Sequence, residues 1–146
     1  MNDRDDEGRE LVTLDLAECI SLLRLESIGR LATTPAMEIA PDVIPVNYVL
    51  DGDRPVLRTN DGLTADRAVA HPVSLQVDRF DWFHRSGWSV LVQGTAEIIR
   101  PTADVEKRLD SWAPGDRLRF LRITPQRITG RRIELNQPAL NAAGYL

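Results

Sequence analysis

The chain has 146 residues and a mass of 16.4 kDa, with 42% hydrophobic and 27% charged residues, a length and balance that predict one folded domain and exclude a disordered or fibrous polymer. Its formal net charge of -4 and pI of about 5.2 repel polyanions, so no nucleic-acid partner is expected. The single cysteine, Cys19, excludes a disulfide framework or thiolate metal site; no apolar run reaches the roughly 18 residues of a membrane span, and the acidic start MNDRDDEGRE is not a secretory signal, so a cytoplasmic location with no membrane partner is the expectation.

Residues 1–10 are too polar to bury anything and read as a mobile acidic arm, leaving 11–146 as the single domain. Leu16, Cys19, Ile20 and Leu23 recur at helical spacing, which predicts an amphipathic helix with Thr13 as its cap and Asp15 and Glu18 at its positive end. The period then changes to alternation: SIGRLATT, a turn near Pro35, EIAPDVIPVNYVLD and a turn at DGDRP predict paired strands. PVLRTN follows as a short strand, DGLTADRAVA as a helical turn or two, and PVSLQVDRFD as a strand with Val73, Leu75 and Val77 on one face.

The longest predicted strand is GWSVLVQGTAEIIR, with Trp88, Val90, Val92, Ala96 and Ile98 on one face and a mixed face of Ser89, Leu91, Gln93, Thr95 and Glu97 opposite. Gly94 leaves room there for a bend or a close neighbour. PTADVEKRLDSW reads as a short helix capped by Thr102 or Asp104, and LRFLRIT and QRITGRRIEL as two final strands around a turn at Pro125. The expected fold is mainly β: a six- to seven-stranded antiparallel barrel with peripheral α-helices.

Self-contained catalytic chemistry is not visible. His71 and His84 are the only histidines, neither stands at a metal-ligand spacing, and no Walker loop or GxGxxG is present. Arginines 117, 119, 122, 127, 131 and 132 have the spacing of solvated strand faces. No catalytic residue and no metal ligand can be assigned, so an enzyme of this composition would take its chemistry from a cofactor. The stretch RTNDGLTADRA, where a strand runs into a helix, is where a phosphate could sit.

Three segments, IPVNYVLDG, VLRTNDG and GWSVLVQGTAEII, with SIGRLATT before and ITPQRITGRRI after, resemble in order and spacing the pyridoxamine 5'-phosphate oxidase-like family of FMN-binding split barrels, in particular its small actinobacterial-type members. The resemblance runs from Leu14 to Glu134. It implies a split-barrel homodimer with an FMN groove at each side of the subunit interface and a small-molecule substrate. Pro45, Val46 and Asn47 match the strand lining the flavin ring; Arg58, Thr59 and Asn60 match the strand end at the phosphate; Trp88 and Ser89 match the interface strand. A guanidinium can bind phosphate through two parallel bonds, and helix N-terminal N–H groups add to it.

The family pattern lapses after Gly62, where Leu63, Thr64 and Ala65 stand in place of a serine or threonine and a lysine. Each charge-assisted bond lost there is about 1.5–3 kcal/mol, and Arg67, one helical turn on, is the residue positioned to compensate. The resemblance implies an FMN-dependent oxidoreductase other than a true pyridoxamine phosphate oxidase, because no further basic set for a substrate phosphate is present. Two alternatives stay open: a deazaflavin-dependent reductase using the same groove, and a non-catalytic dimer with no cofactor that serves as a ligand-binding module.

Overall fold

The computed structural model describes residues 8–35, 40–60, 62–109 and 119–135. The C-terminal tail, residues 1–7 of the arm and the end of the DSW segment lie outside them. The elements in chain order are β1 (Arg9–Leu14), α1 (Leu16–Leu23), β2 (Ile28–Thr33), β3 (Asp42–Asp51), β4 (Arg54–Thr59), α2 (Gly62–Ala70), β5 (Val73–Asp81), β6 (Ser86–Ile99), α3 (Ala103–Arg108) and β7 (Arg119–Leu135). All strand pairs are antiparallel, in the order β1-β7-β4-β3-β2-β5-β6, and a further β6–β7 pairing closes β7, β4, β3, β2, β5 and β6 into a ring. β1 lies outside the ring on β7. The mainly β barrel with peripheral helices is therefore the expected one.

Alternation decides what enters the barrel. Val46, Tyr48 and Leu50 of β3, Leu57 of β4, Val73, Leu75 and Val77 of β5, Trp88, Val90 and Val92 of β6, and Leu121 and Ile123 of β7 form one buried cluster. α1 closes one side of it with Cys19 and Leu23. A second, smaller cluster sits on the outside, where Val105 and Leu109 cover Val56 with Val49, Ile99 and Phe120 around them.

Three local expectations are corrected. The cap of α1 is Asp15, not Thr13: Asp15 Oδ1 accepts from the Glu18 N–H at 2.8 Å while Glu18 Oε2 accepts from the Asp15 N–H at 3.1 Å, a reciprocal capping box. Thr13 is committed to β1, opposite Arg131. Arg9 and Glu10, read from sequence as part of the arm, pair in that strand with Leu135 and Glu134. Pro125 does not end a strand. β7 runs straight through it, and the missing proline N–H is absorbed by a bulge in which Gly94 faces Pro125 while Gln93 faces Arg127. Gly94 is required there, because a Cβ would stand 2.1 Å from the Thr124 carbonyl oxygen.

Helix and barrel are tied by one buried polar bond: the Tyr48 hydroxyl donates to the Leu23 carbonyl at 2.5 Å. That carbonyl belongs to the end of α1, where intrahelical partners run out. Burial pushes the Tyr48 phenol well above its ordinary pKa, so the hydroxyl remains a donor at every physiological pH. Tyr48→Phe leaves a buried acceptor unsatisfied and is expected to lower unfolding free energy by about 1–2 kcal/mol, read from urea unfolding curves.

Candidate functional site

The β3–β4 ladder sets Asn47 directly opposite Arg58. Because Val46 and Tyr48 point inward on one strand and Leu57 and Thr59 on the other, Asn47 and Arg58 share the outer face. Ile28 of β2 stands beside Asn47, and Phe120 of β7 beside Arg58. α3 and its cluster cover the neighbouring row at Val49 and Val56. The corner at Asn47 and Arg58 lies at the end of β4 from which the chain runs into α2.

Arg58 is half-buried, and its Nε is buried with no hydrogen-bond partner among the described residues. A guanidinium N–H without an acceptor is costly in a low-dielectric setting. The first turn of α2 carries no acidic residue, although in sequence Asp61 precedes the helix and Asp66 lies one turn on, so the helix end adds only a partly offset positive charge. Thr64, Ala65 and Ala68 are the buried face of α2, whereas Leu63 and Asp66 face solvent.

Arg67 does not stand free above this corner. Its Nη1 donates to Asp42 Oδ2 at the start of β3, with side chains 31% and 47% exposed, so the pair clips α2 to the barrel. Pro45 lies on the outer face opposite Arg30, whose guanidinium pairs with Asp78 at 3.0 Å. Val46 and Trp88 are buried in the core, so both side chains face the barrel interior. Ser89 is half-buried on the outer face, between Asp78 of β5 and Arg131 of β7. Thr59 is buried and Asn60 half-buried immediately after β4.

The structure thus sets Asn47 and Arg58 side by side on the outer face, with Thr59 directed inward and Asn60 following the end of β4. Trp88 and Ser89 lie on β6, separated from β3 by β2 and β5. Sequence reading missed Ile28 and Phe120 as the flanks of the corner and Asp42 as the partner of Arg67; these are cross-strand and helix-to-strand relations that only the register supplies. Among the described residues no group of three His, Cys, Asp or Glu could hold a metal, and no helix is long and apolar enough to cross a membrane. Cys19 is buried, and burial raises its thiol pKa above the ordinary value, which leaves it an unreactive core residue.

A closed antiparallel barrel with an outlying strand, peripheral helices and a cationic corner on its outer face is a split barrel. The chain belongs to the pyridoxamine 5'-phosphate oxidase family, whose model matches residues 15–132. It is 34% identical over 137 residues to the uncharacterized protein Rv0080 of Mycobacterium tuberculosis, covering 86% of this chain and 88% of that one. Among solved structures it is similar to the FAD binding protein of Mycobacterium smegmatis, with 30% identity, a TM-score of 0.68, and coverage of 83% of this chain and 98% of that one. An FAD-binding protein of Mesorhizobium loti is similar at 26% identity and a TM-score of 0.70, over 84% of this chain and 97% of that one.

The clip between Arg67 and Asp42 is partly exposed, so its contribution is small. Arg67→Ala is expected to lower stability by about 0.5–1 kcal/mol and to speed hydrogen exchange at the α2 amides more than at those of β6.

Proposed function

We propose that the protein is a flavin-dependent oxidoreductase that holds the phosphate of its cofactor at Arg58. The observation that carries this reading is the buried, unpartnered Nε of Arg58 at the junction of β4 with α2. Arg58 as a whole is only half-buried, and a planar guanidinium can meet a phosphate through two parallel bonds. Backbone N–H groups at the start of α2 add oriented partial charge. Pro45 and Asn47 would border the ring along β3, where strand backbone offers fixed donors and acceptors at low entropic cost. Val46 supports that strand from inside the barrel.

Bound flavin supplies hydride and electron transfer. The chain's own part is to bind, orient and shield. Arg58 anchors the charged end, and Ile28 and Phe120 give the corner apolar flanks that limit water. The groove of the proposed homodimer would be completed by a second copy. Val43 at the start of β3 and Leu63 and Val69 on α2 are exposed apolar residues beside the Arg67–Asp42 clip, and they supply surface for such a contact.

FMN is the form that the family resemblance implies. A second reading, FAD, is favoured by the two FAD-binding relatives and by the charge count. With Arg67 committed to Asp42 and no lysine at positions 63–65, a cofactor that gains affinity from additional apolar and stacking contacts depends less on phosphate charge.

Titrations of the purified dimer-range protein with FMN and with FAD test both readings. Saturable binding of at least one at micromolar concentration, with the yellow colour retained on desalting, is expected; a colourless protein that binds neither would sink the proposal. Arg58→Ala is expected to weaken the bound flavin by about 1.5–3 kcal/mol, or roughly tenfold to a hundredfold. Arg67→Ala should weaken it far less, because its guanidinium serves Asp42. Equal losses for the two variants would place Arg67 at the phosphate as well. Sedimentation equilibrium reads the assembly, and a monomer at micromolar concentration would remove the shared groove.

A further inference from the structure

The β5–β6 connection carries the most exposed large apolar residues in the described chain: Trp82 is 88% and Phe83 90% exposed. Entropy and water both disfavour a solvent-held aromatic pair, so its support is informative. Asp81 Oδ1 accepts from the N–H groups of Phe83 and His84, each at 3.0 Å, and Asp81 Oδ2 meets His84 Nδ1 at 2.6 Å. The rings of Phe83 and His84 meet edge-to-face at 5.0 Å. Arg85 is held at a φ of 48°, the only described non-glycine residue with positive φ, a conformation that persists where the surroundings impose it.

Beside this tip is a cleft of about 430 Å³, lined by Phe80, Trp82, Ile133, Asp81, Arg85 and Ser86. That volume lies in the range of about 300–1,000 Å³ usual for small-molecule pockets. Phe80 is laid across the outer face of β6 at Gly87, where an added Cβ would be 2.5 Å from its ring carbon. Ile133 continues the same cross-strand row on β7.

The two charges of the cleft are not equivalent. The Asp81 carboxylate is already met by two N–H groups and an imidazole, and the hydrogen bond from the His84 backbone, followed by that of its side chain, holds its pKa below the usual value. Arg85 forms no ion pair among the described residues. One uncommitted cation therefore faces apolar walls. An apolar protein surface seated here would bury that charge without a partner, whereas an anion with an aromatic body would satisfy both features.

We infer that the cleft between the β5–β6 tip and Ile133 is a second ligand site, separate from the Arg58 corner, that takes small aromatic carboxylates, with the ring between Phe80, Trp82 and Ile133 and the carboxylate on Arg85. The separation follows from β7: Phe120 beside Arg58 and Ile133 in the cleft lie near its opposite ends.

The probe is 2-naphthoate, with neutral 2-naphthalenemethanol as its counterpart, titrated into the 15N-labelled full chain with and without saturating FMN. Saturable amide shifts confined to residues 80–87 and Ile133 are expected, with naphthoate bound about tenfold more tightly than the alcohol. Arg85→Gln should bring the two affinities together, and Trp82→Ala should weaken both. Both substitutions are at exposed positions, so the fold is retained and a near-native spectrum is the check. No saturation at millimolar ligand, equal affinity for the two probes, or displacement of naphthoate by FMN would each overturn the assignment. Shifts of the same amides on dilution without ligand would assign the cleft to a second copy and overturn it too.

Discussion

The long pairing of β6 with β7 is the constraint on which the rest of the molecule depends. β7 holds β6 along one edge and β4 and then β1 along the other, so it is both the seam of the barrel and the anchor of the outlying strand. Such a seam must bend to close, and the bend is made where Gly94 admits the backbone of Thr124 and Pro125. A side chain at position 94 would hold the strands apart, and without the bulge the inward row of Val90 and Val92 could not stay in register with Leu121 and Ile123 beyond it. Since a one-residue slip exchanges the faces of a strand, this contact also determines which residues look outward on β6 and β7.

Once the faces are set, the disposition of charge follows. Arg30 pairs with Asp78, Arg67 with Asp42, Arg108 with Asp104, Arg122 with Glu97 and Arg132 with Glu134. These are mostly exposed pairs of small energetic weight, but they neutralise the outer surface of an acidic protein strand by strand. Arg58 differs because its Nε is buried without an acceptor. Stability alone gives no reason to retain such a group, since an apolar residue of similar volume avoids the desolvation cost. Sites that bind anions are where that cost is recovered.

Much of this fold is legible in the sequence. Alternation placed Trp88, Val90 and Val92 inside and Ser89 and Gln93 outside, because a half-buried strand exposes its periodicity directly. The cap of α3 was equally local, with Thr102 and Asp104 as the two candidates and Thr102 the one used. Misreadings arose where two local signals competed or where the deciding partner was distant. Thr13 and Asp15 both suit a helix cap, and the choice was made by β1 pairing with β7, more than a hundred residues away. Pro125 is a turn residue by itself, yet a bulge against Gly94 carries the strand through it. The reach of Arg67 could not be known without the Asp42 carboxylate, which lies on another element.

That last contact changes the meaning of the segment Leu63-Thr64-Ala65. Thr64 and Ala65 belong to the buried face of α2 with Ala68, so the first turn of this helix is used to pack against the barrel. A long cationic side chain at position 65 would have to leave that packed face or be buried with its charge, and either is costly. Small residues there let α2 sit close, and Arg67 then secures the helix from its half-exposed side. The corner is left with the Arg58 guanidinium and the N-terminal end of a closely seated helix. Under the proposed flavin reading, affinity would then come to a larger degree from contacts along β3 than from charge at the start of α2.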